Sequence, residues 1–340
     1  MKAIILNSSQ SNDTDALFTE TEIEIPTPES RDLLVRVKAI SVNPIDYKVR
    51  SSPQRQHPSG ILGWDAAGIV EAVGTEVTLF KVGDEVYYAG SVIRAGCNSK
   101  YHLVDERIVG KKPTSLSFAE AAALPLTTIT AWEALFERLG IEPEKTPENR
   151  SSTVLIIGGA GGVGSIAIQL AKQVAGLQVI ATASRAESIA WCKKMGVDET
   201  IDRHQPFRSE LAAIDIKHVD YILCLNDTAQ HLPNMADVIK PQGKICSIVS
   251  TNSPFDLNQF FSKSITFVWE MMFTKSMFGT DDMQSQHDLL NQVSTLIDRG
   301  ILKTTIAENF GILNSTNLEI AHKLLESGKS IGKIVLDGIE

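Results

Sequence analysis

Three glycines carry the first chemical signal. Gly159, Gly161 and Gly164 fit G-x-G-x-x-G within residues 153–172, TVLIIGGAGGVGSIAIQLAK, where a β-branched run breaks at glycines and resumes with helical spacing. Each glycine has its own reason in a nucleotide clamp: the first allows a sharp turn, the second lets a pyrophosphate approach the backbone, and the third lets the helix close on the strand. A helix starting near Val163 aims the N–H groups of its first turn, those of Gly162 and Val163 among them, at phosphate oxygens. The chemistry this implies is the binding of a dinucleotide.

The end of the next strand decides which dinucleotide. A carboxylate there accepts from the ribose hydroxyls of NAD, whereas NADP needs that charge removed and a cation or hydroxyl supplied. Residues 181–188 read ATASRAES, so Ser184 and Arg185 hold the position and no carboxylate does. An arginine fork suits a 2′-phosphate, and a serine hydroxyl can donate to one; the expected cofactor is NADPH. Ser184 with Glu187 also has the spacing of a capping box for the following helix. Arg203, after the third strand, is a second cation candidate. Asn226 and Val249, just past the fourth and fifth strands, fall at the carboxyl edge of the sheet where a dinucleotide lies.

The elements that must position these groups are legible as a change of period along the chain. Residues 2–6, 33–41, 68–73, 85–88 and 101–104 alternate or run apolar between Gly, Pro, Asn and Asp turns, which predicts a mostly β region. From Phe118 the composition turns helical, and Pro125 should divide that stretch into two helices. Residues 142–152, with Pro143 and Pro147, read as a surface connection. Strands then alternate with crossovers through residues 154–158, 178–184, 199–203, 221–225 and 244–249, the pattern of a doubly wound parallel sheet. Residues 288–299 are amphipathic, and 332–336 (GKIVL) form a last strand expected to close back on the first region. The division expected is 1–123 with 265–340 for the β domain and 124–264 for the nucleotide domain, as suits 340 residues.

Composition narrows the partners. With 41 acidic against 32 basic residues and a formal charge of -9, the surface does not suit nucleic acid or an anionic membrane. No segment approaches the ~20 apolar residues that cross a bilayer, and MKAIILNSS reads as a first strand, so a cytoplasmic protein acting on a small molecule is expected. The four cysteines form no C-x-x-C pair; Cys224 and Cys246 lie in strand-like runs as small hydrophobes, and no disulfide is expected.

Residues 41–50 (SVNPIDYKVR), 63–74 (GWDAAGIVEAVG), 81–87 (KVGDEVY), 124–135 (LPLTTITAWEAL), the GGAGGVG clamp and the terminal GKIVL together resemble the medium-chain dehydrogenase/reductase superfamily over nearly the whole chain. Within it the chain is similar to the quinone-oxidoreductase branch and to the group labelled zinc-type alcohol dehydrogenase-like, through FVWEMMFTKSMF at 267–278. The resemblance implies a Rossmann domain, a GroES-like catalytic domain, hydride transfer from NADPH to a quinone or an α,β-unsaturated carbonyl such as an enone or 2-alkenal, and a homodimer. It carries Asn43 towards nicotinamide and acceptor, makes Tyr47 or Lys48 the proton donor (relatives often place a tyrosine where this chain has Lys48), and implies cofactor contacts for Thr130, Asn226, Val249 and Lys333.

Other functions stay open on the residues: Thr130 as a helix-start cap, Lys333 as an edge-strand lysine, Asp46 as a turn residue paired with Arg50, and Glu270 paired with Lys275 within an apolar stripe that suits a core, a dimer interface or a cleft wall. The resembled zinc enzymes use a Cys where this chain has Asn43 and a His-Glu pair at Trp64 and Asp65. Cys97 with His102 does not make a second tetrahedral site, and reads as a surface thiol and a strand histidine. The chain is read as metal-free. A non-catalytic, redox-sensing NADPH-binding protein and a zinc-dependent alcohol dehydrogenase are the alternatives.

Overall fold

The computed structural model describes residues 1–7, 16–51 and 59–339. They form two compact units, Met1–Leu126 with Phe273–Glu340, and Thr127–Met272. The first unit begins with seven strands: β1 (Lys2–Leu6), β2 (Phe18–Glu22), β3 (Asp32–Val42), β4 (Ala66–Val73), β5 (Glu85–Tyr88), β6 (Tyr101–Asp105) and β7 (Val109–Lys111). The long β3 is the spine, antiparallel to β4 and also to β6 through Val35 opposite His102. Where β3 ends, Pro44 fixes the first turn of the helix Pro44–Arg50. Pro125 divides the next stretch as expected, into Phe118–Ala122, with a Ser117–Glu120 capping box, and Pro125–Trp132. The polar connection at 142–152 contains one short helix, Pro147–Arg150, that its polarity concealed.

The second unit is a six-stranded parallel sheet of β8 (Thr153–Ile157), β9 (Gln178–Thr182), β10 (Glu199–Ile201), β11 (Val219–Cys224), β12 (Ile239–Ser247) and β13 (Thr266–Trp269), in the order β10-β9-β8-β11-β12-β13. The order reverses beside β8, so the carboxyl ends of β8 and β11 flank a switch point where ligands bind in open α/β sheets. The β8 side chains are all buried, which explains the continuous apolar run. Its Leu155 and Ile157 join Ile180, Phe207, Ile222, Met235 and Ile245 in one core. The sixth strand, β13, lies in the apolar stripe, and its pairing with β12 puts residues 244–247 inside the sheet.

The chain then returns to the first unit. Helix Ser285–Asp298 is tied to it by the Tyr87 hydroxyl, which donates to the Leu290 carbonyl at 2.6 Å. Strands β14 (Ile306–Ile312) and β15 (Lys333–Asp337) complete a sheet ordered β14-β15-β3-β4-β5-β7, with β15 antiparallel to β3. Lys333 therefore starts an interior strand, not an edge one. Among the described residues no helix is long and apolar enough to cross a membrane.

Candidate cofactor site and the Asn43 cluster

The glycines of the clamp differ in what surrounds them. A Cβ on Gly159 would come within 2.5 Å of the Ala181 Cβ, and one on Gly164 within 2.4 Å of the Gly158 carbonyl oxygen; both are fixed by packing of strand and helix. A Cβ on Gly161 would meet only the Gly158 oxygen, at an unstrained 3.6 Å, and its φ of -74° suits any residue. Among the described residues nothing demands glycine there. The space it leaves, at the N-cap of helix Gly162–Gln169, fits a backbone that must approach a pyrophosphate. Gly162 and Val163 open that helix. Ser165 donates to the Gly161 carbonyl at 2.7 Å and accepts from the Trp191 indole at 2.7 Å. Trp191, which carries no motif, thus steadies the clamp.

Ser184 and Arg185 are exposed just past β9. The capping box expected of Ser184 and Glu187 does not form, because helix Ala186–Met195 takes Arg185 as its N-cap. The Ser184 hydroxyl instead donates to Oδ1 of Asp202, 2.5 Å away beyond β10, a residue the second-strand rule does not examine. Arg203 follows, exposed, with Nε 3.3 Å from His204 Nε2. Asn226 and Val249 follow β11 and β12: the Asn226 carbonyl accepts from Cys224 Sγ and the Val249 carbonyl from Thr228 Oγ1 at 2.5 Å. Thr130 is buried in the second turn of Pro125–Trp132, so a cap at the helix start is excluded.

In the first unit Asn43 sits in a buried polar cluster. Its amide nitrogen donates to the Ser41 carbonyl at 3.3 Å and to Asp65 Oδ2 at 3.1 Å. Its Oδ1 accepts from Lys333 Nζ at 2.5 Å, and Lys333 also donates to the Val42 carbonyl at 2.8 Å and lies 3.2 Å from Asp65 Oδ2. These three partners match the three donors of an ammonium. Asp46, the turn residue expected, accepts from the Asn43 backbone at 2.8 Å, but Arg50 pairs with Glu326 and not with it. Burial pushes the carboxyl of Asp46 up to about 7 and that of Asp65 up to about 6, offset in part by Lys333, and draws the Lys333 ammonium down. Tyr47 is half-buried, and burial followed by the Glu326 charge raises its phenol.

Two further expectations change. Cys97 is fully buried, with its thiol pushed up by burial, rather than at the surface. Glu270 pairs with Arg138 at 2.7 Å, while Lys275 bonds Ser285 at 2.7 Å.

Comparison with known proteins accords with this geometry. Residues 29–132 match the family model described as alcohol dehydrogenase GroES-like domain, and 195–336 the one described as zinc-binding dehydrogenase. A zinc-type alcohol dehydrogenase-like protein of Staphylococcus epidermidis is 42% identical over 337 residues, 99% of each chain. The chain belongs to the medium-chain dehydrogenase/reductase superfamily. Among solved members, a candidate zinc-dependent alcohol dehydrogenase of Rhizobium etli CFN 42 is 48% identical with a TM-score of 0.93, covering 100% of this chain and 98% of that one. The Escherichia coli quinone oxidoreductase complexed with NADPH is 26% identical with a TM-score of 0.81, covering 99% and 100%.

The superfamily implies a nicotinamide cofactor, and a Gly161 that the surrounding protein does not crowd fits one. It also implies zinc in some members, and here the residues do not fit. An amide and an indole stand at two of the ligand positions, Asn43 and Trp64, and the third, Asp65, is already bonded to Asn43, Lys333 and the Leu126 N–H. Among the described residues no group of three or more His, Cys, Asp or Glu side chains is placed to hold a metal.

Proposed function

We propose that this oxidoreductase transfers hydride from NADPH to a quinone or another α,β-unsaturated carbonyl, with no metal in the reaction. The observation that carries the reading is the Lys333 ammonium bonded to both Asn43 and Asp65, a protein cation where zinc members keep ligands. When bound, the cofactor supplies a hydride donor at nicotinamide C4. A quinone is itself a doubly conjugated enone, so one pocket chemistry serves both acceptor classes.

The chain's own residues then bind, orient and protonate. The first-turn N–H groups of Gly162 and Val163 hold the pyrophosphate beside Gly161. Arg185 and Arg203 hold the 2′-phosphate, Arg185 through its planar fork. Thr130 and the backbone at Asn226 and Val249 contact the rest of the dinucleotide. Asn43, held in one orientation by Asp65 and Lys333 where β3 passes into helix Pro44–Arg50, faces the nicotinamide and the acceptor. Tyr47, a phenol protonated at neutral pH and raised further by burial, delivers that proton as the acceptor oxygen gains charge.

The protein is proposed to work in the cytoplasm, where thiols stay reduced, as a homodimer. The test is NADPH oxidation across a panel of quinones, enones and 2-alkenals. Turnover supports the reductase, and tight NADPH binding without turnover on any acceptor would make the chain a redox-sensing binder instead.

A further inference from the structure

We infer that Asp202 sets the carrier preference of the adenosine pocket, accepting with Ser184 from the ribose hydroxyls of an unphosphorylated carrier, so that the chain binds NADH as well as NADPH. This rests on the reading that the pocket at the ends of β9 and β10 holds the adenosine ribose. The two strand ends are brought together by the Ala183 N–H, which donates to the Ile201 carbonyl at 3.0 Å. Asp202 is the next residue, and its backbone N–H is anchored by Glu210 Oε2 at 2.9 Å. Its Oδ1 receives the Ser184 hydroxyl at 2.5 Å and the His204 N–H at 3.0 Å. Swinging the carboxylate away would break both bonds.

A serine hydroxyl has one proton, and here it goes to Asp202. Ser184 therefore faces a ligand as an acceptor, and beside it the carboxylate accepts as well. The ribose 2′- and 3′-hydroxyls, which donate one proton each, satisfy that pair. A 2′-phosphate brings only acceptor oxygens and negative charge, and must be held by Arg185 and Arg203 against the repulsion of Asp202. The Ser184 and His204 hydrogen bonds hold the Asp202 carboxyl below its ordinary range, so it is charged at neutral pH. The acid that selects an unphosphorylated carrier thus comes from the third strand, while the second strand supplies the arginine for a phosphorylated one.

The experiment is calorimetric binding of 5′-AMP and 2′,5′-ADP, which present the two ribose forms, to the wild type, Asp202→Asn and Arg185→Ala, with circular dichroism checking the fold. The wild type should bind the two within about tenfold of each other. Asp202→Asn should tighten 2′,5′-ADP about tenfold, equal to about 1.4 kcal/mol, and not tighten 5′-AMP. Unchanged affinities in Asp202→Asn, with 2′,5′-ADP weakened by Arg185→Ala, would overturn the role of Asp202 while leaving the pocket in place. Loss of neither ligand's affinity in Arg185→Ala would overturn the pocket reading, and the inference with it.

Discussion

At the scale of single residues, Gly161 and Gly164 separate binding from folding. Gly161→Ala puts its methyl into space the protein leaves open, so thermal stability should hold while nucleotide affinity falls at least about tenfold by titration. Gly164→Ala drives a methyl against two carbonyl oxygens, at 2.4 and 2.5 Å, and should lower stability by about 1–3 kcal/mol in urea unfolding. Equal stability losses would remove the case for a ligand at Gly161. Arg185→Ala should raise the NADPH KM at least about tenfold and leave that for NADH nearly unchanged; parallel rises in steady-state kinetics would refute the 2′-phosphate contact.

His102 gives a pH dependence of definite sign. Its ring is buried, bonded to the Tyr88 hydroxyl and the Ala95 carbonyl, and burial lowers it from 6.5 to about 4. Below about 6.5 the unfolded chain takes a proton that the folded one refuses, so stability falls as the pH drops from 6.5 towards 4, by up to about 3 kcal/mol. His102→Gln should flatten the acid limb of a melting-temperature profile; an unchanged slope would contradict the burial argument.

At the scale of elements, β13 is one of the two border strands of the parallel sheet. Trp269 is 44% exposed and its ring meets Phe267 at 5.1 Å between centroids. An open edge strand with aromatic cover is the natural seam for the proposed homodimer. Trp269→Lys should shift the protein to monomer in sedimentation; an unchanged dimer would move the interface elsewhere.

The sequence announced the elements whose environment leaves a local trace. The clamp and the parallel strands were legible because burial on both faces writes continuous apolar runs, and Pro125 because its ring ends helices wherever it falls. β13 was not, since FVWEMM suits strand and buried helix alike and only pairing with β12 decides. At the site, Ser184 was legible but its partner Asp202 was not, because that pairing joins two strands and no rule of spacing connects them. Lys333 was visible as a residue near the cofactor's reach, yet its bonds to Asn43 and Asp65 depend on β15 returning beside β3.

At the scale of the molecule, the superfamily fold carries here an amide and an indole at two of the positions where the resembled zinc enzymes keep ligands, beside the glycine turn proposed to hold a dinucleotide. Hydride chemistry requires the dinucleotide and not the metal ligands, since a donated proton and ordered dipoles can stabilise the acceptor oxygen in place of a Lewis acid. The buried cluster of Asn43, Asp65 and Lys333 is consistent within itself: a carboxylate and an ammonium compensate each other where water is excluded. The most direct measurement is therefore quinone-dependent NADPH oxidation by protein dialysed against a chelator, with its metal content determined in the same sample. Full turnover at no more than trace zinc is the expected result. Loss of turnover on chelation and its return with added zinc would contradict it.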